Sequence, residues 1–565
     1  MPEQRRGSFL FQSLIVFLFA FWLLAFHTGG ASLWDIDEPN NAQALKEMMV
    51  HHNLVVPTFD EALRPDKPIL NYWLMWTGVR LLGMNSWGLR IGSVATGALL
   101  VLYLALALRR LYGEQTALLA GLLTATTLHS QIIFRAAVPD PLLILFVAIA
   151  LISYLRGYLY PEEGRRSVLI AYGAMGLATL AKGPIGFLLP GLIIVIFLLL
   201  RRDLPSLWRN GHLTWGIPLF LVITLPWYLA VGVETHWVWD WLFVDQQNVD
   251  RYAVAMQGHH GPVYYYLFTI ALALLPWTIF LPQTCAELWR RRSTLLRQTP
   301  ADAFMLVWAI TWVAFFSLGA TKLPNYVWEA YPALFVLIAA RLYAALNQTQ
   351  PLSRRGVLLS LGALFLVGVA LLVLGAWLVP ERIPPLGDMM ATLGLPYIIA
   401  ALLALLFAWR GLLLPVISSL GAGTIALTAC LMLLTVPAMD TLKPSATMGR
   451  MIRASEGTQP YAIATWRWFE PSFLFYGGRG TMPVHQLKNL QELYRVLADG
   501  QGTAYLALPA QDIPAVRTQL SKTLRVRELY SGYELYSRKY IALLRIRGSL
   551  YLEHNKAVSI LPVPW

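Results

Sequence analysis

The sequence predicts a polytopic α-helical membrane protein that ends in a small soluble α/β domain. Of its 565 residues, 57% are hydrophobic and only 13% are charged, whereas soluble globular chains carry about 25% charged residues. The mean hydropathy is +0.54. This composition excludes a water-soluble multidomain enzyme, a disordered chain and a disulfide scaffold. Long uncharged apolar stretches are stable in hydrocarbon, so the composition indicates a membrane protein.

About thirteen apolar segments of roughly 20 residues are predicted to span the membrane. They lie near residues 8–28, 87–108, 115–134, 140–158, 167–181, 184–200, 213–232, 263–283, 302–320, 327–345, 356–379, 390–409 and 412–436. The arginine doublets and runs between them fall on one side, which the positive-inside rule makes cytoplasmic. These are Arg109-Arg110, Arg165-Arg166, Arg201-Arg202, Arg290 to Arg292, Arg354-Arg355 and the lone Arg410. An odd number of spans places the C-terminal tail outside, which in a bacterium is the periplasm.

Two domains are predicted. Residues 1–440 form the transmembrane domain, with long outer loops at 29–86 and 233–262, and residues 441–565 form the periplasmic domain. This tail alternates short apolar runs, at 461–464 and 504–508, with a helical pattern at 487–497, which is typical of an α/β domain. Long structured loops on a rigid scaffold often carry function, so the outer loops are where we expect the site.

The first outer loop opens with three carboxylates, Asp35, Asp37 and Glu38, just before Pro39. In the residues that follow, apolar side chains recur at helical spacing and would share one face. This pattern predicts an amphipathic helix along the membrane surface. That face consists of Ala42, Leu45, Met48 and Met49. Capping of this helix by Asp37 or Glu38 is the alternative interpretation, although one cap does not need three acids.

Further charged and aromatic residues follow at the same predicted face of the membrane. They are Asp66 and Lys67 between two prolines, Asp140 before Pro141, Lys182 before Gly183-Pro184, Arg251, His259, Lys322 and Tyr326. Taken singly, a lysine there is typical of a snorkelling anchor and Asp140 of a helix N-cap. Together they predict one cavity that receives a phosphorylated lipid.

Absent motifs narrow the function further. The sequence has no Walker A loop, no dinucleotide fingerprint, no His-Glu-x-x-His helix and no Gly-x-Ser-x-Gly elbow, so no nucleotide cofactor is expected. The net charge of +13 comes from arginine doublets between apolar stretches, not from a basic patch interleaved with aromatics. We therefore expect no nucleic-acid partner.

In these features the chain resembles the polyprenyl-phosphate-dependent glycosyltransferases with the GT-C fold. Within them it is most similar to the bacterial aminoarabinose transferases of lipid A and the related protein O-mannosyltransferases. The resemblance rests on Asp37-Glu38, Asp66-Lys67-Pro68 with Tyr72-Trp73, Asp140, Lys182-Gly183-Pro184, Arg251, His259 with Pro262, and Lys322-Leu323-Pro324 with Tyr326, in this order. The chain departs from the aminoarabinose branch at Asn40-Asn41, where that branch usually carries a basic and an aromatic residue.

The resemblance implies transfer of an aminoarabinose-like sugar from a polyprenyl-phosphate carrier to lipid A, at the periplasmic face of the bacterial inner membrane. In the aminoarabinose branch this modification accompanies polymyxin resistance. Displacement at the anomeric carbon needs a carboxylate that accepts a proton and cations that stabilise the departing phosphate. Asp37 is the expected base, with Asp140 as a helper or sugar-positioning group and Glu38 as a further candidate catalytic carboxylate. The expected phosphate ligands are Lys67, Arg251 and Tyr326, with Lys322 and Lys182 in addition.

A divalent metal fits this chemistry but is not required, since cationic side chains supply the same stabilisation. Asp66 and His259 are the candidate ligands, a pair compatible with zinc. A protein acceptor for the same carrier lipid is the alternative enzyme function. A lipid transporter or flippase is the alternative outside enzymes, but it predicts charges near the middle of the spans and inverted repeats, whereas the charges here gather at one face.

Overall fold

The computed structural model describes residues 2–250, 261–379, 386, 393–520 and 524–548. The chain divides into two compact units, which we call the membrane unit and the sheet unit. The membrane unit comprises Met1–Thr28 with Pro65–Thr435, and the sheet unit comprises Gly29–Arg64 with Val436–Trp565. The structure differs here from the predicted domains, because residues 29–64 group with the C-terminal part of the chain.

The helices, in chain order, have the following bounds. They are α1 (Pro2–Ala25), α2 (Asp37–Val50), α3 (Leu70–Leu82), α4 (Ser86–Tyr112), α5 (Glu114–Ala125), α6 (Leu128–Ile133), α7 (Asp140–Leu159), α8 (Gly164–Lys182), α9 (Ile185–Leu200), α10 (Ser206–Arg209), α11 (Leu213–Glu234), α12 (Val238–Val244), α13 (Tyr265–Ala273), α14 (Leu281–Arg290), α15 (Leu295–Gln298), α16 (Pro300–Leu318), α17 (Tyr331–Leu346), α18 (Arg354–Val373), α19 (Gly394–Trp409), α20 (Leu413–Cys430), α21 (Val436–Asp440), α22 (Pro444–Glu456), α23 (Pro471–Gly477), α24 (Leu493–Asp499) and α25 (Ile513–Gln519). The strands are β1 (Thr58–Phe59), β2 (Ala62–Leu63), β3 (Ala462–Trp466), β4 (Val484–Leu487), β5 (Thr503–Pro509), β6 (Arg525–Glu534) and β7 (Lys539–Arg547).

The membrane unit is a multi-pass helical bundle. Eight of its described helices are long and apolar enough to cross a membrane, and the pair Tyr265–Ala273 with Trp277–Arg290, bent by 113°, would be a ninth span. Two shorter apolar helices, α9 and α19, have 16 residues each. Each of the thirteen predicted segments overlaps a described helix or bent pair. Thirteen as a number of spans stays a prediction.

Local signals set the ends of these helices. The side chain of Asn85 accepts a hydrogen bond from the Gly88 N–H at 2.9 Å and so caps α4, as Asn does at N-caps. Gly113 ends the same helix with φ of +83°, which glycine adopts without a Cβ penalty. Arg109 and Arg110 lie in the last turn of α4. Their positive charges stabilise this end of the helix, which carries the partial negative charge of the helix dipole.

Contacts of the membrane unit bring several of the arginines predicted to share one side of the membrane to the same end of the bundle. Arg110 pairs with Glu162 and Glu163, and Arg156 pairs with Glu163 at 2.7 Å. Arg201 donates to the Tyr158 hydroxyl at 3.1 Å and to the Leu296 carbonyl. These contacts join the C-terminal ends of α4, α7 and α9, and we call this side the basic end of the bundle.

The sheet unit contains a five-stranded sheet in the order β4-β3-β5-β7-β6. Strand β3 runs parallel to β4 and β5, whereas β7 runs antiparallel to β5 and β6. Successive side chains alternate between two buried faces, so Ala462 and Ala464 pack against α24 while Ile463 packs against α22 and α23. Helices cover both faces, which confirms the predicted α/β character of the tail.

Residues 29–64 belong to the sheet unit because polar groups tie them to it. The Lys46 ammonium donates to the Gly478 carbonyl at 2.9 Å, and the Asp60 carboxylate accepts from the Val484 N–H at 3.0 Å. Helix α2 is buried over most of its circumference, including Ala42 and Leu45. The prediction of a helix lying on the membrane surface is therefore wrong, since its apolar face packs against protein.

Candidate functional site

Five side chains meet at the end of the membrane unit opposite the basic end, and we call them the acid–lysine cluster: Asp140, Lys182, Asn325, Tyr326 and Glu329. The Lys182 Nζ lies 2.7 Å from Asp140 Oδ1 and 4.0 Å from Glu329 Oε1. The Asn325 amide donates to Asp140 Oδ1 at 3.1 Å. The Lys182 Nζ also lies 5.8 Å from the centroid of the Tyr326 ring, within the range of a cation–π contact.

Helix ends and indole hydrogen bonds hold this cluster. Asp140 begins α7 and Lys182 ends α8, so the antiparallel pairing of these helices brings the two charges to the same end. A short 3-10 helix, Pro324–Ala330, carries the other three residues. The indoles of Trp308 and Trp312 on α16 donate to the carbonyls of Glu329 and Tyr326, both at 2.9 Å.

Two carboxylates of the cluster share one ammonium. Asp140 and Glu329 are buried, with side chains 6% and 1% exposed, and one ammonium serves both. Neither carboxylate oxygen of Glu329 accepts a hydrogen bond from a residue that the structure describes. With every group ionised the cluster carries a net charge of −1, and burial makes an uncompensated charge costly. A cationic group of a ligand would compensate this negative charge.

The N-cap interpretation of Asp140 is wrong. The N-cap position of α7 is Pro139, and no side chain makes a cap hydrogen bond there. Instead the carboxylate of Asp140 turns to Lys182 and Asn325, while its charge still favours the N-terminal end of the helix. Asp140 therefore does more than end a helix, because it joins the acid–lysine cluster, and its predicted catalytic role stays a prediction.

Lys322 does not have the geometry of a phosphate ligand. It is 5% exposed, and its ammonium donates to the carbonyls of Phe316, Ser317 and Gly319 at 3.0, 2.6 and 2.5 Å. An ammonium has three N–H donors, so all of them are used. The structure corrects the prediction: Lys322 satisfies the open carbonyls at the C-terminal end of α16.

We expect Lys322→Met to destabilise the protein without a specific loss of lipid binding. Removing a charge from three carbonyls should cost about 1–3 kcal/mol of unfolding free energy. Thermal unfolding and polyprenyl-phosphate affinity are measured on the same purified variant. Normal stability with strongly weakened affinity would contradict this assignment and restore Lys322 as a phosphate ligand.

Asp66 and Lys67 lie in the loop before α3. Asp66 Oδ1 accepts from the Gln247 amide at 2.9 Å, and Lys67 is half-buried. Arg251 and His259 lie outside the described residues, so their predicted roles stay predictions.

Among the residues that the structure describes, no group of three or more His, Cys, Asp or Glu could hold a metal ion. The zinc pair Asp66 and His259 stays a prediction, and elemental analysis of the wild type and Asp66→Ala tests it.

Asp37 and Glu38 lie in the sheet unit, at the start of α2. Ile36 occupies the N-cap, and no side chain caps the helix there. Glu38 is buried and accepts from the Trp34 N–H at 2.8 Å, whereas Asp37 is exposed. Capping by Asp37 is therefore the wrong interpretation, and its carboxylate remains available for chemistry.

Two further carboxyls of the sheet unit have altered acidity. Burial raises the pKa of Asp35 to about 6, although the Ser472 N–H bound to it at 3.0 Å acts in the opposite direction. Burial also raises the pKa of Glu470 to about 8, with the nearby charges of Asp35 and Glu534 adding to the effect. Carboxyls of this kind exchange protons near neutral pH.

Sequence reasoning missed Glu329 and assigned no role to Asn325. Glu329 was visible as an acid inside the apolar run 327–338, and an ionisable residue within a membrane segment is a functional candidate by default. The partners of Asp140 could not be read from the sequence, because Lys182 and Asn325 are 42 and 185 residues away.

Comparisons with known proteins agree with this architecture. Residues 66–229 match the family model of dolichyl-phosphate-mannose-protein mannosyltransferase. The chain is similar to two undecaprenyl phosphate-alpha-4-amino-4-deoxy-L-arabinose arabinosyl transferases. The one from Pseudomonas paraeruginosa is 32% identical over 370 residues, which are 64% of this chain and 64% of that protein. The one from Erwinia tasmaniensis is 31% identical over 317 residues, 54% of this chain and 55% of that protein. The matches thus span less than two thirds of these relatives' lengths.

The structural comparison decides the fold. The crystal structure of ArnT from Cupriavidus metallidurans bound to undecaprenyl phosphate matches 96% of this chain and 98% of its own, with a TM-score of 0.75 and 21% identity. The chain has the GT-C fold. The archaeal oligosaccharyltransferase AglB from Archaeoglobus fulgidus matches more distantly, with a TM-score of 0.52 and 13% identity over 90% of this chain and 70% of that one. The GT-C fold and the resemblance expected from the sequence are both confirmed.

Proposed function

We propose that this protein is an integral-membrane glycosyltransferase that moves an aminoarabinose-like sugar from a polyprenyl-phosphate carrier to lipid A. The observation that supports this most strongly is the GT-C fold shared with ArnT over 96% of the chain. The sequence similarity to the arabinosyl transferases points to the same donor lipid. A transfer assay with purified protein, undecaprenyl phosphate-linked aminoarabinose and lipid A tests it, and absence of any product would refute it.

The reaction is a displacement at the anomeric carbon of the sugar. The acceptor oxygen forms a bond to this carbon while the bond from the carbon to the phosphate oxygen breaks, and the polyprenyl phosphate departs as a phosphate monoester. Asp37 accepts the proton that the acceptor oxygen loses. Lys67 and Arg251 stabilise the charge on the departing phosphate, since guanidinium and ammonium groups bind phosphate oxygens strongly.

The acid–lysine cluster supports an aminosugar as the transferred group. Its two buried carboxylates share one ammonium, and the oxygens of Glu329 accept no hydrogen bond from a described residue. This arrangement suits an ammonium group, which a neutral hexose lacks. A matched donor with a hydroxyl in place of the amino group should therefore react more slowly. Equal rates with both donors would remove this support and favour a neutral sugar.

We expect Lys67→Ala to weaken the binding of polyprenyl phosphate while leaving folding intact. Losing one charge-assisted contact should cost about 1.5–3 kcal/mol of binding free energy. Affinity is measured on purified protein with undecaprenyl phosphate. Arg80→Gln, which removes an exposed cation at the end of α3, is the matched control and should bind normally. Unchanged affinity of Lys67→Ala would indicate a snorkelling lysine instead.

Protein O-glycosylation from the same carrier is the second candidate. The match of residues 66–229 to dolichyl-phosphate-mannose-protein mannosyltransferase favours it. A competition assay that offers lipid A and a serine-rich peptide together separates the two. Sugar on the peptide alone would overturn the lipid A assignment while leaving the donor assignment in place.

We place the acid–lysine cluster and the sheet unit at the periplasmic face of a bacterial inner membrane. The support is the basic end of the bundle, which the positive-inside rule assigns to the cytoplasm. Reporter fusions after Tyr461 should therefore report a periplasmic location. A cytoplasmic signal from that fusion would contradict the orientation.

A further inference from the structure

A polar cavity of about 380 Å³ opens at the basic end of the membrane unit, and we call it the basic-end cavity. It lies between the C-terminal ends of α4, α7 and α17, helix α14 and the start of α16. Its charged lining residues are Glu287, Arg291, Asp302 and Arg341. Because Asp140 and Leu159 are the two ends of α7, about 30 Å of helix separates this cavity from the acid–lysine cluster.

The two arginines of the cavity differ in how they are satisfied. Arg291 lies between two carboxylates that balance its charge, with its Nε 3.2 Å from Glu287 Oε1 and its Nη2 3.3 Å from Asp302 Oδ2, although this Nε makes no hydrogen bond of its own. Arg341 is 5% exposed and donates only to backbone carbonyls, those of Gln350 and Pro351. Within the part of the chain that the structure describes, no carboxylate pairs with Arg341.

Arg341 also retains unused donors. Its Nε is buried and has no hydrogen-bond partner among the described residues. A guanidinium has five N–H donors, and two carbonyls occupy two of them. A buried cation with open donors at the wall of a cavity is stabilised when an oxyanion enters. The two carboxylates of the lining, Glu287 and Asp302, both lie beside Arg291, so neither of them occupies the open donors of Arg341.

The position of the cavity indicates where such an anion comes from. Helices α4, α7 and α16 are long and apolar enough to cross a membrane, which places their ends at headgroup depth. Helix α14 beside the cavity exposes Trp289 and Arg290, each by more than two thirds. Tryptophan and arginine are typical of the membrane interface. A phosphodiester of the adjacent leaflet matches both the open donors of Arg341 and this depth.

We propose that the basic-end cavity binds the phosphodiester headgroup of a membrane phospholipid, with Arg341 as its principal ligand. Guanidinium suits phosphate because its planar N–H groups match the phosphate oxygens. This site is separate from the donor-lipid site and does not depend on the proposed transferase activity.

Native mass spectrometry of the delipidated full-length protein tests the proposal with three probes. Dioctanoyl phosphatidylglycerol should bind as one molecule per chain, about tenfold or more tighter than dioctanoylglycerol, which has the same tails without the phosphodiester. Inorganic phosphate should compete only weakly. Competition by inorganic phosphate at equal concentration would overturn the lipid assignment and indicate a soluble phosphate ester.

Two variants and one control locate the binding site. Arg341→Met removes the ligand, and Ala344→Phe fills the cavity while keeping every charge. Both should weaken phosphatidylglycerol binding about tenfold or more. Arg355→Gln, an exposed basic residue outside the lining, should bind as the wild type does. Should Arg341→Met fail to fold, Ala344→Phe decides alone, and wild-type affinity in that variant would overturn the proposal.

Discussion

Replacing Asp37 by Asn should lower sugar transfer about 100-fold or more while leaving thermal stability nearly unchanged. Asn cannot accept a proton, so a catalytic base is lost. The side chain is exposed and no side chain makes a cap hydrogen bond at the N-cap of α2, so little structural free energy depends on its charge. Transfer from a defined polyprenyl-phosphate sugar and thermal unfolding are measured on one preparation.

A matched control separates this effect from a general loss of acidic charge. Glu61→Gln removes another exposed carboxylate from the same segment of the sheet unit and should keep wild-type transfer. Wild-type turnover by Asp37→Asn would refute its role as the base and move that role to Asp140. A loss of transfer that only parallels destabilisation would assign Asp37 a structural role.

Replacing Lys182 by Met should destabilise the membrane unit by about 3–5 kcal/mol and abolish transfer, because it leaves buried carboxylates without their cation. The side chains of Asp140 and Glu329 are 6% and 1% exposed, and Lys182 lies within 4.0 Å of both. The measurement is thermal unfolding in detergent together with transfer activity.

The double variant Asp140→Asn with Lys182→Met tests the physical cause. It removes one carboxylate with the cation, so its stability should exceed that of Lys182→Met, with a coupling energy above about 1 kcal/mol. Lys182→Arg keeps the charge and should stay close to the wild type in stability. Equal stability of Lys182→Met and the wild type would show that the ion pairs of the cluster contribute nothing.

The sequence predicted what depends on local pattern. Every predicted span overlaps a described helix or bent pair, because the length of apolar segments is a local property. The short apolar runs 461–464 and 504–508 predicted the strands β3 and β5. The arginine doublets predicted one basic end, because charge between spans depends on topology and not on packing.

Tertiary packing decided the rest. Helix α2 has the amphipathic pattern of a surface helix, yet its buried face includes Glu47 and Gln43 as well as Ala42, since it packs within the sheet unit. Lys322 and Lys182 both lie two residues before a proline. Three carbonyls at the C-terminal end of α16 bind the ammonium of Lys322, whereas a carboxylate binds that of Lys182. The local sequence does not show whether such a lysine binds backbone carbonyls or a carboxylate.

The mass of lipid A from cells with and without the gene tests the central claim most directly. Wild-type cells, and cells complemented with Glu61→Gln, should contain lipid A heavier by one aminopentose unit. Cells that lack the gene, or carry Asp37→Asn, should contain only the unmodified form. Identical lipid A spectra in all four strains, with the protein present in the membrane of the complemented ones, would contradict the proposed function.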